Sequence, residues 1–244
     1  APFFSWRIKK FNLLWASYLF YAAWNPPFVL LLMFSTVVDW TLGRKLYEAK
    51  SKAKRRSLLI ASLCVNLGML SYFKYGGFIL ENFELLMSVM GVSYNAPDMN
   101  IILPVGISFY TFQTLSYTMD IYFKKMKPWN SFIDYAMYVT FFPQLVAGPI
   151  VRAADFLPQC VKERKASAQQ FFWGVVLTIL GMFQKIVLAD SLFAPVADKV
   201  YQTSGLVGFT AGWIGSLAFT GQIFCDFAGY STTAIGVAMM LGFA

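Results

Sequence analysis

The sequence predicts an all-α fold, a polytopic transmembrane helical bundle with re-entrant or broken helices, and three observations carry that prediction. The 244 residues are 58% hydrophobic and 13% charged, whereas soluble globular chains run near ~45–50% apolar and ~25% charged. The charges are clustered, leaving several long apolar windows with one charge or none, as expected where each helix needs roughly 20 residues to cross a ~30 Å hydrocarbon core. Prolines and hydroxyl or amide side chains then gather inside a few of these apolar segments, and broken backbone at membrane depth is tolerated only where protein or a wet cavity surrounds it.

The net charge of +8 comes from short basic runs between apolar segments, the pattern of cytoplasmic loops under the positive-inside bias. No zinc-finger spacing or phosphate loop accompanies it, so nucleic acid is not an expected partner. The three cysteines, Cys64, Cys160 and Cys225, are far apart and lie in or beside apolar segments, which implies neither a disulfide framework nor a metal site. No histidine occurs in the chain. A papain-like Cys–His pair therefore cannot be assembled from these residues. The Ala1-Pro-Phe-Phe start reads as internal, and the apolar end reads as a cut.

The elements follow in order. Arg7, Lys9 and Lys10 precede an apolar run over 11–24, which Asn25-Pro26-Pro27 breaks, because proline ends a preceding helix and favours a turn. A second run covers 28–42. Residues 44–56 carry seven basic side chains against Glu48 and are expected to form a cytoplasmic basic loop, which places the Asn25-Pro-Pro turn outside. A third span over 57–73 leads outward. The stretch 77–91 is apolar but holds Glu81 and Glu84. A charge at mid-membrane costs ~2.5–3.5 kcal/mol on insertion scales, so this stretch is expected at the outer interface or inside the bundle rather than across the membrane. The long segment 101–123 then runs inward to Lys124, Lys125 and Lys127, with Pro104 and Gly106 allowing a bend near its start.

Residues 131–160 have basic clusters on both sides and are interrupted by Pro143, Gly148, Pro149 and Pro158. They form a candidate re-entrant segment, with a plain hairpin of two short spans as the alternative. A further span covers 171–188, residues 190–208 with Pro195 are expected as an outer connection, and 210–224 returns inward and continues into 226–243. That makes five spans, a sixth running past Phe224, and two apolar segments that do not cross.

Chemistry-bearing residues stand inside these spans. Tyr110, Gln113, Thr114 and Tyr117 follow the three-to-four spacing of one helical face and turn either toward a cavity or toward a neighbouring helix. Gln144 and Arg152 flank the proline breaks. Gln144 is placed to satisfy freed backbone groups, and Arg152 to hold a phosphate or carboxylate or to snorkel to the surface. Asp226 has no other charged residue within a dozen positions on either side, and an intramembrane acid is a functional-site candidate. It either serves a site or closes a structural ion pair with a basic residue such as Arg152. Asp39, at the end of the second run, carries less weight. Read from the residues alone, the chain fits a membrane transporter or a membrane-embedded transferase.

Three long strings then resemble a known family: LPVGISFYTFQTLSYTMDIY (103–122), FIDYAMYVTFFPQLVAGPIVRAADFLPQ (132–159) and FCDFAGYSTTAIGVAMMLGF (224–243). In the same order across nearly the whole chain, they are similar to the membrane-bound O-acyltransferase family, in its alginate O-acetylase-like branch. Residues 16–43 resemble that branch's early hairpin. The resemblance implies helices around a central funnel, in chains about twice as long. It makes 1–244 a partial domain whose catalytic half is missing, with the expected catalytic histidine beyond residue 244. In the family pattern an acid follows the serine matching Ser231, where this chain has Thr232.

The implied chemistry is acyl transfer, an acetyl group in the nearest branch, to hydroxyls of an exported polysaccharide such as alginate. The donor would be acetyl-CoA or an acyl-carrier thioester, with no tightly bound cofactor or metal. Histidine would act as general base and oriented donors would hold the oxyanion. Tyr110, Gln113, Tyr117, Gln144, Arg152 and Asp226 are the candidates for lining that funnel or supporting its wall. The implied setting is the bacterial inner membrane, with lipids, the polymer and other polysaccharide-modification proteins as partners. This chain alone is expected to be inactive. A transporter would show paired inverted halves, which the sequence does not display, and a non-catalytic subunit of a modification or export complex is the remaining alternative.

Overall fold

The computed structural model describes residues 5–94, 101–145 and 148–243, and among them the regular elements are all helical. They run α1 (Trp6–Ala22), α2 (Pro27–Glu48), α3 (Lys52–Val89), α4 (Ile107–Tyr122), α5 (Phe132–Thr140), α6 (Phe142–Leu145), α7 (Ala153–Phe156), a 3₁₀ turn (Leu157–Cys160), α8 (Ala168–Met182), a wide π-helical stretch (Phe183–Phe193), α9 (Ala194–Tyr201) and α10 (Phe209–Met240). Two compact units result: Ala1–Phe142 with Ile150–Cys160, and Pro143–Pro149 with Val161–Ala244.

Among the described residues, four helical stretches are long and apolar enough to cross a membrane: Pro27–Glu48, Lys52–Val89, Ala168–Tyr201 and Phe209–Met240. Their large apolar side chains point outward. Leu30, Phe34, Ile79, Phe172, Trp213, Phe224 and Phe227 are all exposed, whereas a soluble monomer keeps its contiguous apolar surface to about a few hundred Å². Lipid is the solvent for which such a surface is stable, and the chain is a multi-pass membrane protein.

In the first unit the early hairpin forms where the sequence places it. α1 ends at Ala22, and Pro27 occupies the first turn of α2, where its missing N–H costs nothing. Helix α1 buries Leu14, Ser17 and Tyr21 as a single stripe. The basic stretch 44–56 is less of a loop than its charge implies: α2 continues to Glu48 and α3 begins at Lys52. Lysine and arginine are good helix formers, so the charges ride on helix ends and only three residues turn the chain.

The expected break between 57–73 and 77–91 is absent, since α3 runs through both as one helix of 38 residues. At 1.5 Å per residue it is about 57 Å long, more than the ~40–45 Å of a bilayer with its headgroups. A helix of that length can cross once and project beyond, and Glu81 is exposed and Glu84 half-buried on its later part. Glycines 76 and 77 do not interrupt it, because helical hydrogen bonding is the cheapest way to satisfy backbone polar groups near lipid.

Helix α4 begins only after Gly106, later than the segment 101–123 implies, and the φ of 72° at Gly106 makes the bend expected there. It is the inner helix of this unit: nine of its sixteen residues are buried, including Tyr110, Gln113, Thr114 and Tyr117. Its end is a Schellman cap in which the Lys125 N–H bonds the Asp120 carbonyl at 2.8 Å and the Lys124 N–H bonds that of Ile121 at 3.1 Å. Lys124 occupies the left-handed position at φ 59°. Glycine is the usual residue there, and a side chain costs about 1–2 kcal/mol.

Residues 131–160 are broken into short pieces, as the prolines and Gly148 imply. Helix α5 has nine residues, about 13 Å, and is buried on every side from Asp134 to Thr140.

In the second unit, 190–208 is mostly helix rather than a connection. Only 202–208 separate α9 from α10. Pro195, which reads as a breaker, stands in the first turn of α9 just after the wide stretch, where a missing N–H is tolerated. The rod from α8 to α9 packs antiparallel on α10 through glycines. A Cβ on Gly174 would lie 2.7 Å from the Gly236 carbonyl oxygen, and one on Gly181 2.5 Å from that of Gly229. Small residues permit such backbone approach in membranes. Beyond them, Phe193 meets Gly221. Twelve positions from Gly181 to Phe193 thus face eight from Gly229 to Gly221, the compression that a wide, low-rise helix produces.

Candidate functional site

The first unit carries a polar core under an apolar exterior. On α2, Ser35 and Asp39 stand one turn apart, as do Ser62 and Asn66 on α3, and all four side chains are fully buried. Asp39 Oδ1 accepts from the Ser62 hydroxyl at 2.7 Å and from Asn66 Nδ2 at 2.9 Å, and Oδ2 accepts from the same nitrogen at 2.9 Å. The amide oxygen of Asn66 in turn accepts from Ser35 at 3.3 Å and from Thr114 at 3.2 Å. Three helices are therefore tied through one buried carboxylate. Sequence reading gave Asp39 little weight and passed over Ser62 and Asn66. The usable signal was the pair of polar residues spaced by four on each of two neighbouring spans.

A second layer joins α4 to α5. Gln113 Nε2 donates to the Tyr138 carbonyl at 2.8 Å, while the single Tyr138 hydroxyl proton is shared between the carbonyls of Gln113 at 3.3 Å and Val151 at 3.2 Å. Tyr117 accepts the Trp129 N–H at 3.0 Å and stacks on Tyr135 with centroids 4.6 Å apart. Tyr110 is fully buried. The hydroxyls of Tyr135 and Thr118 are buried without a hydrogen-bond partner among the described residues, which marks this layer as polar in excess of its own pairing. The stripe Tyr110, Gln113, Thr114, Tyr117 is thus turned toward neighbouring helices within this unit.

A third feature lies beside α1. Lys10 pairs with Asp134, which also accepts from Trp129 Nε1 at 3.2 Å. Trp6 Nε1 closes the same region by donating to the Cys160 carbonyl at 2.7 Å. Nothing in the sequence reading coupled Lys10 to Asp134, since 124 positions separate them. Arg152 is exposed and precedes α7, its carbonyl accepting the N–H groups of Asp155 and Phe156.

In the second unit Asp226 finds a different partner from the one considered in the sequence. Lys185 Nζ lies 2.5 Å from Asp226 and 2.9 Å from Asp190. Lys185 and Asp190 are five apart on the π-helical stretch, whose wide turn brings such residues onto one face, and π-helical turns recur at functional sites. The Asp226 and Lys185 side chains are 52% and 40% exposed, so this acid–base–acid cluster is open on the outer surface of its unit. Gln144 is buried, and its carbonyl accepts the Gly148 N–H at 3.1 Å. A Cβ on Gly148 would lie 2.4 Å from Gln144 Cα, so position 148 requires glycine.

A family-level comparison matches residues 4–244 to MBOAT, the membrane-bound O-acyltransferase family. The chain is similar to the probable alginate O-acetylase AlgI of Azotobacter vinelandii, at 36% identity over 97% of this chain and 47% of that protein. It is similar to the peptidoglycan O-acetyltransferase of Helicobacter pylori, at 32% over 94% of this chain and 47% of that protein. A more distant likeness is to the teichoic acid D-alanyltransferase of Lacticaseibacillus rhamnosus, at 27% over 57% of this chain and 36% of that protein. The chain spans about half the length of the alginate and peptidoglycan relatives.

Proposed function

This chain belongs to the membrane-bound O-acyltransferase family, and we propose on that premise that the whole protein transfers an acetyl group to hydroxyls of an exported polysaccharide such as alginate. The observation that carries the proposal is the match over almost the entire chain to proteins named for O-acetylation of alginate and of peptidoglycan.

The reaction is attack of a sugar hydroxyl on an activated acetyl carbonyl. A base removes the hydroxyl proton as the C–O bond forms, and the donor's thiolate leaves and takes up a proton. The base on this reading is a histidine, a residue that positions 1–244 do not contain. The donor is acetyl-CoA or an acyl-carrier thioester from the cytoplasm, and the acceptor is reached from the other face of a bacterial inner membrane. Other polysaccharide-modification proteins are its partners.

The six candidates divide by exposure. Asp226 and Arg152 are accessible and suit direct contact with donor, acceptor or another helix of the funnel. Tyr110, Gln113 and Tyr117 are enclosed and act as positioning residues behind the funnel wall, Gln113 and Tyr117 by tying α4 to α5. Gln144 is buried and suits a supporting role. The test is transfer of labelled acetate to the polymer in membranes carrying the whole protein. Replacement of its histidine base by alanine abolishes transfer while the protein still inserts. Asp226→Asn lowers the rate at least tenfold with insertion intact. Full transfer by the histidine variant would overturn the mechanism.

A further inference from the structure

The two basic segments of the first unit, far apart in sequence, fold onto one cavity. A recess of about 770 Å³ is lined by Tyr47, Ala49, Lys50, Arg55, Lys124, Lys125, Met126 and Lys127. Five of these eight residues are cations, and no carboxylate is among them. The placement runs against simple helix electrostatics. Lys52, Lys54, Arg55 and Arg56 crowd the N-terminus of α3, the positive end of its dipole, with no acid in the first turn. Arg55 is fixed in place, its guanidinium bonded to the Tyr122 carbonyl and lying 5.3 Å over the Tyr122 ring. Lys124 occupies a left-handed position that glycine would fill without strain. Such outliers point to function when the surroundings enforce them.

We propose that this recess is a binding site for a phosphate-bearing ligand, with an anionic membrane phospholipid as its source. An anion there offsets the mutual repulsion of five cations and completes the helix end electrostatically. The rim argues for an amphiphile. Tyr47 lines the recess, Phe123 adjoins it with Lys125 6.0 Å from its ring centroid, and both aromatics are exposed. Aromatic side chains at that level mark the membrane interface, and basic pockets at the cytoplasmic ends of helices take anionic headgroups.

The test uses the full-length protein in neutral detergent, with bound phosphatidylglycerol and cardiolipin read by native mass spectrometry against phosphatidylcholine. The triple variant Lys50→Gln, Lys125→Gln, Lys127→Gln should weaken anionic lipid binding by about ten- to a hundredfold, given the usual contribution of each basic residue at a membrane surface. Lys45→Gln, Lys52→Gln, Lys54→Gln removes the same charge from the same basic stretch outside the recess and should change it less than threefold. Lys124→Gly separates binding from folding: it should weaken lipid binding while leaving the melting temperature equal or higher. In a second arm the protein is titrated with pyrophosphate and coenzyme A without lipid. Binding there that the recess variant abolishes, with no lipid preference, would support the phosphate site and transfer its source to a soluble ligand. Equal losses in the two triple variants, or unchanged binding in Lys124→Gly and the recess triple, would overturn the proposal.

Discussion

Replacing Asp39 by alanine tests the buried polar core most directly. The carboxylate takes three hydrogen bonds, one from Ser62 at 2.7 Å and two from Asn66 at 2.9 Å. Alanine strips the acceptor from the Ser62 hydroxyl and from one side of the Asn66 amide, which keeps a 3.0 Å bond to the Ser62 carbonyl. Two buried donors orphaned at ~1–3 kcal/mol each set the upper range. Side-chain hydrogen bonds inside membrane proteins average nearer ~0.6 kcal/mol, and removing a buried carboxylate returns part of its desolvation cost. The expected net loss is about 2 kcal/mol. Asp39→Asn keeps one oxygen but turns an amide toward the amide of Asn66, for about 1 kcal/mol. Ser35→Ala loses only a 3.3 Å contact and should stay below ~0.6 kcal/mol. The assay is reversible unfolding of the full-length protein in bicelles, with the Asp39→Ala, Asn66→Ala double variant destabilised by less than the sum of the singles. An Asp39→Ala protein within ~0.5 kcal/mol of the parent, or Ser35→Ala the worst of the three, would refute the reasoning.

Lys10→Met should cost about 3–5 kcal/mol, because it leaves the buried Asp134 carboxylate without its cation; unfolding in the same bicelles measures it, and Lys10→Arg should recover part of the loss. Gly181→Val should disrupt the α8–α10 hairpin by more than ~3 kcal/mol, since a Cβ would fall 2.4 Å from the Thr233 hydroxyl oxygen, whereas Gly212→Ala, with open space around it, should be near neutral. Protease resistance of the folded protein distinguishes the two. At the Lys185 cluster, a double-mutant cycle with Asp226→Asn should give a coupling of no more than ~1 kcal/mol, as both side chains are substantially exposed. A loss of acetyl transfer in Asp226→Asn greater than its loss of stability would mark the acid as functional rather than structural.

Much of the fold was legible in the residues. The Asn25-Pro-Pro hairpin, the bend at Gly106 and the fragmentation of 131–160 follow from local backbone chemistry at glycine and proline. The membrane setting follows from composition, because no water-facing chain can present that much apolar surface. The polar stripe on α4 was visible as a period. Its direction was not, for the same period serves a cavity or a helix neighbour, and only packing chose the latter for Gln113 and Tyr117. Breakers were over-read where the membrane overrides them. Helix α3 continues through Gly76-Gly77, and the α8–α9 rod carries Pro195 behind a wide turn, since ending a helix near lipid costs more than a weak residue within it. Pairing was beyond the sequence altogether. Which face of α2 meets α3, that Asp226 closes on Lys185, and that Lys50 and Arg55 share a recess with Lys124–Lys127 all depend on how helices rotate about their axes to bury small and polar residues together. Periodicity assigns a residue to a face, and tertiary packing alone decides what that face meets.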